Sequence, residues 1–229
     1  MRKLHNLDDS KIHYGLYASF FKRPLDFFVS LIALLLLSPI LMVLCILVRM
    51  KLGKPIFFKQ ERAGKDERPF KMLKFRTMAD TRDVEGNLLP DEERFTKFGN
   101  FLRKYSLDEL PELINVLKGD MSIIGPRPLY TYYLPYYTEE EALRHIVRGG
   151  ITGLAQINGR VHCPMDERLE YDVKYVKNIS FRNDLCILIR TIGKVIRADD
   201  VGQPSLDDEK CLNETRSIQR EQLVHQQKG

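Results

Sequence analysis

Between Phe27 and Val48 the chain carries no charged side chain. Roughly 20 such positions are what a helix needs to cross the hydrocarbon core of a bilayer. Ser38 and Pro39 sit in the middle of this run. Pro39 has no N–H and its ring crowds the carbonyl of Leu35, so a helix bends or breaks there. The Ser38 hydroxyl can satisfy a freed carbonyl nearby, which lets a kink survive in lipid. Lys22 and Arg23 precede the run, and Arg49, Lys51 and Lys54 follow it. The excess of basic residues that marks cytoplasmic flanks therefore draws both ends to one side. A helix that enters, turns at Ser38-Pro39 and returns satisfies both ends, whereas a straight span satisfies one. A cleaved signal peptide is excluded by the length of the run and by the RMKLGK that follows it. A buried core helix of this length would be unusual.

Beyond Lys54 the pattern changes period. KPIFFKQERAG and PFKMLKFRTM read as two short strands joined by a polar connection over Gly64 to Pro69. DTRDVEGNLLPDEERFT is acidic and turn-rich, a surface loop with a helical end. Helical spacing resumes at Phe98, Phe101 and Leu102, and again from Leu110 to Leu117 with a stop at Gly119. It returns at Leu185, Leu188, Ile189, Ile192, Val195 and Ile196, beside Arg190, Lys194 and Arg197. That last helix either packs on the core or lies on a membrane surface. After Arg197 large apolar residues become sparse. These patterns predict an α+β chain, mostly helical: an N-terminal segment (1–21), a re-entrant membrane helix (22–54), a cytoplasmic domain of short strands and interfacial amphipathic helices (55–198), and a polar tail (199–229).

Composition narrows the partners. With 36 Lys and Arg against 31 Asp and Glu, the chain carries a formal charge of +5, which favours anionic lipid, nucleotide or phosphorylated substrate. No helix or tail gathers these cations into a stripe, which argues against nucleic acid. Cys45, Cys163, Cys186 and Cys211 lack C-x-x-C spacing, which excludes a zinc site or a disulfide framework of the usual kind. There is no G-x-G-x-x-G or Walker-type loop. His145 and His162 have no partner at metal-ligand spacing.

The chemistry is concentrated in RKYSLDELPELINVLKGDMSIIGPRP, Arg103 to Pro128. Asp108 and Glu109 stand at the start of the helix that ends at Gly119. Ser106 and Glu109 have the spacing of a capping box, with the Asp favoured by the helix dipole. The same letters suit a reaction. An ionised carboxylate can act as a nucleophile, and a helix N-terminus favours phosphate. Attack on phosphate by a carboxylate meets charge repulsion, which Mg²⁺ and cationic side chains offset. Glu109 could hold such a metal. Lys74, Arg76, Arg103 and Arg127 lie in stretches that could converge on the site, with Arg127 presented from a loop stiffened by two prolines. Both readings remain open at this stage, as does a role for Gln156, whose amide could read a uracil or sugar or simply be structural.

The run with Ser38-Pro39, KFRTM (74–78), SLDELPELINVLKGDMSIIGPRP, GITGLAQINGR (150–160) and YDVKYVKNISFRNDL together resemble the bacterial sugar transferase family over roughly residues 18–197. More narrowly they resemble its small monotopic phosphoglycosyl transferases. The resemblance implies transfer of a sugar phosphate from a UDP-sugar to polyprenyl (undecaprenyl) phosphate at the cytoplasmic face of the inner membrane, with release of UMP. It implies a ping-pong course in which the residue matching Asp108 becomes covalently phosphoglycosylated and the residue matching Glu109 is associated with Mg²⁺. It also places Arg103 near the site, makes Lys74, Arg127 and Asp184 phosphate- or metal-site residues, and puts a re-entrant turn at Ser38-Pro39. The chain departs from the family at Gly149 and Leu154, where members often carry Pro and Trp. The sugar, the glycan and the existence of a homodimer are not legible in the letters.

Overall fold

The computed structural model describes residues 15–159 and 164–197. Cys163, His162 and the segments 1–14 and 198–229 lie outside the described residues. Helix α1 spans Lys22–Lys51 and is entered through a wider helical turn, Tyr17–Phe21. It is helical throughout, Pro39 included. Ser38 Oγ donates to the Leu35 carbonyl at 2.8 Å, which is the acceptor that proline at the fourth following position leaves without its amide partner. By length and composition α1 is the one helix among the described residues that could cross a membrane.

Both ends of α1 grip the same domain, and its middle stands clear. At the N-terminal end Arg23 donates to the carbonyls of Val116 and Leu117 at 2.7 and 3.0 Å. Three residues on, the buried Asp26 accepts from Ser122 Oγ and from the Ile123 amide. At the other end Leu44, Val48 and Leu52 pack on Phe75 and Leu102. Leu35, Leu36, Pro39 and Ile40 between them are exposed, Leu36 by 74%.

The predicted hairpin is present: β1 (Phe57–Ala63) pairs antiparallel with β2 (Pro69–Phe75), Phe58 opposite Lys74. The acidic loop holds one helical turn, α2 (Asp91–Arg94), and leads to α3 (Lys97–Lys104). A tight turn, Leu107–Glu109, precedes α4 (Glu112–Lys118). Helix α4 stops where its pattern says it should, at Gly119, whose φ of 91° suits a residue without a Cβ. Two short strands that the sequence pattern did not reveal follow: β3 (Met121–Ile124) pairs parallel with β4 (Gly149–Thr152). Between them lie a turn at Thr131–Tyr136 and α5 (Glu139–Ala142). Helices α6 (Leu154–Gly159), α7 (Met165–Lys177) and α8 (Phe181–Arg197) complete the described chain.

On α8 the two readings of the apolar stripe separate. Ile187 is buried in the core, but Phe181, Leu185, Ile189, Ile192 and Ile196 are exposed. Their spacing of three and four puts them on one face. An exposed apolar row of this kind suits a helix lying in a membrane surface.

Candidate functional site

Four elements bring the charged residues together. Helix α4 is fastened along the free edge of β2 by Asn115, whose Oδ1 accepts from the Leu73 amide at 3.0 Å while its Nδ2 donates to the Lys71 carbonyl at 2.9 Å. An edge strand otherwise leaves those groups unpaired. This docking sets Lys74, next along β2, against the turn that carries Asp108 and Glu109. Helix α3 approaches the end of β2 so closely that a Cβ at Gly99 would stand 1.7 Å from the Thr77 carbonyl. One turn later Arg103 donates from Nε to Thr77 Oγ1 at 2.9 Å and lies over the Phe95 ring.

The loop bearing Arg127 follows β3. Its backbone is tied to β4 through Gly125 N–H to Thr152 and Gly150 N–H to Pro126. From behind, the buried Arg144 donates to the Arg127 carbonyl at 2.6 Å and twice to Asp172 on α7. Gly149 is held there by its pairing with Met121.

The result is a compact alternation of charge. Lys74 Nζ lies 2.8 Å from Glu109 Oε1 and 3.3 Å from Glu112 Oε1. Arg127 reaches the same Glu109 oxygen at 2.5 Å. Burial would push the Glu109 carboxyl up, but Arg127 and Lys74 outweigh it and hold it well below the usual carboxylate range. Burial likewise opposes the charge on Lys74, and Glu109, Glu112 and Asp108 together overcome it and raise its pKa. Asp108 is buried too, and no described residue donates a hydrogen bond to it. Burial, then the neighbouring Glu109, push it up to about 6, against the pull of Lys74, Arg103 and Arg127. It is therefore mostly ionised at neutral pH but poorly stabilised as an anion.

Two details differ from the sequence reading. Asp108 and Glu109 sit on a tight turn ahead of α4, not in the α-helix itself. Ser106 adopts a left-handed conformation (φ 52°) and makes no side-chain capping bond there. The capping box is thus absent, and the strained φ is of the kind that collects at functional sites. Glu112, which the sequence reading passed over, joins the cluster with 1% of its surface exposed. Its signal was available: a third acid four residues after Asp108 falls on the same helical face.

Three predicted residues lie elsewhere. Arg76 donates to the Lys54 carbonyl at 2.9 Å and braces the exit of α1. Gln156 donates to the Ile151 carbonyl at 2.8 Å, fastening α6 to β4. The buried Asp184 accepts from Lys22, Tyr17 and Tyr175 and so joins α8 to the entrance of α1. The cluster unites Lys74, Arg103, Asp108, Glu109 and Arg127, with Glu112 added.

Residues 17–198 match the profile of the bacterial sugar transferase family, a stretch that takes in α1, the cluster and α8. The chain belongs to that family. Among curated proteins it is 52% identical over 182 residues to the Bacillus subtilis protein EpsL, described as an uncharacterized sugar transferase, covering 80% of this chain and 90% of that one. It is 42% identical over 184 residues to the UDP-glucose:undecaprenyl-phosphate glucose-1-phosphate transferase of Klebsiella pneumoniae. It is 36% identical over 186 residues to the UDP-N-acetylgalactosamine-undecaprenyl-phosphate N-acetylgalactosaminephosphotransferase of Aeromonas hydrophila. Those alignments cover 76% and 78% of this chain but only 40% and 44% of the two larger proteins.

Among the described residues no three His, Cys, Asp or Glu side chains gather as a self-contained metal site. Mg²⁺ seldom requires one, since it is usually held by one or two carboxylates together with substrate phosphates. Asp108 and Glu109 offer hard oxygen donors of that kind in the midst of phosphate-seeking cations, and the donor set fits.

Proposed function

We propose that the protein transfers a sugar 1-phosphate from a UDP-sugar to polyprenyl phosphate, releasing UMP and leaving a polyprenyl diphospho-sugar. The observation that carries this reading is the cluster itself: a buried carboxylate, Asp108, to which no described residue donates a hydrogen bond, acted on by Lys74, Arg103 and Arg127. The printed activities of the curated relatives agree with it.

Charge guides the steps. Lys74 and Arg127 neutralise one another's partner, Glu109, until a diphosphate arrives. The two cations then turn to its oxygens, Arg127 able to make a bidentate contact. Asp108 Oδ attacks the phosphorus that bears the sugar, the bond to the UMP oxygen breaks, and UMP leaves with that electron pair. The acyl phosphate so formed is attacked by the polyprenyl phosphate oxygen, which restores the Asp108 carboxylate. Asp108 and Glu109 would hold Mg²⁺, which supplies charge neutralisation for the diphosphate. Burial of Asp108 raises the energy of the free carboxylate and so favours its reaction.

The membrane arrangement follows from the second substrate. We read α1 as re-entrant, bending at Ser38-Pro39 into the cytoplasmic leaflet of a bacterial inner membrane. The support is that both of its ends bind one domain while its middle is exposed. The exposed row of α8 would lie in the same interface, placing the cluster where a water-soluble donor and a lipid acceptor can meet.

The test is UMP release by the purified protein with polyprenyl phosphate and UDP-glucose, UDP-galactose or UDP-N-acetylgalactosamine. Wild type is expected to turn over at least one donor, and Asp108→Asn none of them. Retention of most activity by Asp108→Asn would overturn the covalent course.

A further inference from the structure

Glu112 has no part in the steps above, yet it is the most deeply buried acid of the cluster. Its side chain is 1% exposed, and among the described residues neither carboxylate oxygen has a well-directed hydrogen bond. Among the described residues the cation in contact with it is Lys74, at 3.3 Å, with Arg127 acting on it from farther off. An acid placed in the first turn of a helix merely for its dipole gains most at an exposed position and by little energy. That cannot account for burying a carboxyl, which is costly without a partner.

The second partner of Lys74 explains the cost. Lys74 Nζ stands between two carboxylates, closer to Glu109 than to Glu112. Glu109 is shared with Arg127 and is the more exposed of the two, with 17% of its side chain accessible. The reading of the reaction given above requires Glu109 to release Lys74 when a diphosphate enters. At that moment a flexible four-carbon stem would carry an ammonium with no fixed neighbour, in a site where burial already opposes its charge.

We propose that Glu112 is a positioning residue that keeps the Lys74 ammonium in place for the substrate diphosphate after Glu109 lets go. The proposal rests on the transferase reading only in naming the diphosphate as what Lys74 meets. Glu112 acts through Lys74, the cation it contacts. Burial, with Glu109 adding to it, pushes its carboxyl up to about 7 despite the pull of Lys74, so its hold on the ammonium does not depend on full negative charge and can become a directed hydrogen bond once Glu109 lets go. A neutral side chain of the same shape with an acceptor oxygen should then suffice.

This predicts a pattern rather than a single loss. UDP binding is measured by calorimetry on the full chain in detergent for wild type, Glu112→Leu, Glu112→Gln, Lys74→Ala and the Lys74→Ala/Glu112→Leu pair. Glu112→Leu is expected to weaken UDP by about tenfold, as one lost charged hydrogen bond would. Glu112→Gln should stay within about threefold of wild type. In the Lys74→Ala background Glu112→Leu should add nothing, because a residue acting through another is silent without it. Equal, additive losses in both backgrounds, tighter binding by Glu112→Leu, or no UDP binding by wild type would overturn the proposal. The transferase reading fails separately, if wild type releases no UMP from any of the three donors while the binding pattern holds.

Discussion

At Asp108 stability and reactivity pull in opposite directions. Burial and Glu109 raise its carboxyl to about 6, so the ionised form that the proposed reaction uses is the form the fold tolerates least. Asp108→Asn is therefore expected to melt no lower than wild type, and up to a few degrees higher, while losing activity on the order of 10³-fold or more. A thermal melt beside the UMP assay checks both, and a variant that is inactive because it melts far lower would contradict the account. His145 supplies a second test at this scale. Its Nδ1–H donates to the Gly64 carbonyl at 3.2 Å, its Nε2 has no hydrogen-bond partner among the described residues, and burial followed by the nearby Arg144 hold its pKa down to about 3. A base with a folded-state pKa below its unfolded value contributes stability that is complete above about pH 6.5 and is lost as pH falls. Below that point the loss reaches about 1.4 kcal/mol per pH unit. Melting temperatures of wild type and His145→Gln from pH 7 to pH 5 should converge as pH falls, and parallel curves would refute the assignment.

The elements are held by polar clasps that an apolar pattern cannot announce. Arg144 is the firmest: it ties α7, through Asp172, to the backbone of the Arg127 loop. Arg144→Met leaves Asp172 buried without its partner and is expected to cost about 3–5 kcal/mol, measured by denaturant unfolding. A cost below about 1 kcal/mol would mean the pair is not what holds the loop. The β1–β2 hairpin, the stop of α4 at Gly119 and helix α8 were legible because each rests on local periodicity or a single glycine, whereas the start of α4 and the whole of α7 were not. Strands β3 and β4 were not, since four-residue parallel strands 25 positions apart leave no local signature. Among the site residues, Lys74, Arg103, Asp108, Glu109 and Arg127 were legible from charge type near one turn. Arg76, Gln156 and Asp184 were assigned to the site because polar residues of the right type look alike in one dimension. Their partners, the Lys54 carbonyl, the Ile151 carbonyl and Lys22, fix them elsewhere. Glu112 was passed over because an ordinary helix start already gives an acid a reason to be there.

At the scale of the whole molecule, the proposed reaction requires a basic, charge-rich domain to meet a lipid acceptor. Helix α1 is fastened at Arg23 and Asp26 on one side of Pro39 and at Leu44 and Val48 on the other. Its exposed middle and the exposed row of α8 are apolar surfaces that the proposed arrangement would turn to lipid. Single cysteines placed at Leu16 and at Lys54 in an otherwise cysteine-free chain should both be labelled from the cytoplasmic side of oriented vesicles by an impermeant reagent. Labelling from opposite sides would replace the bend by a straight span.

The central claim is that Asp108 carries the sugar phosphate. It is tested most directly by mass spectrometry of the protein incubated with the donor it uses and without polyprenyl phosphate. The expected result is a single added sugar phosphate on the peptide containing Asp108, removed when polyprenyl phosphate is supplied and absent in Asp108→Asn. A fully active preparation that never gains this mass, under acidic quench that preserves acyl phosphates, would contradict it.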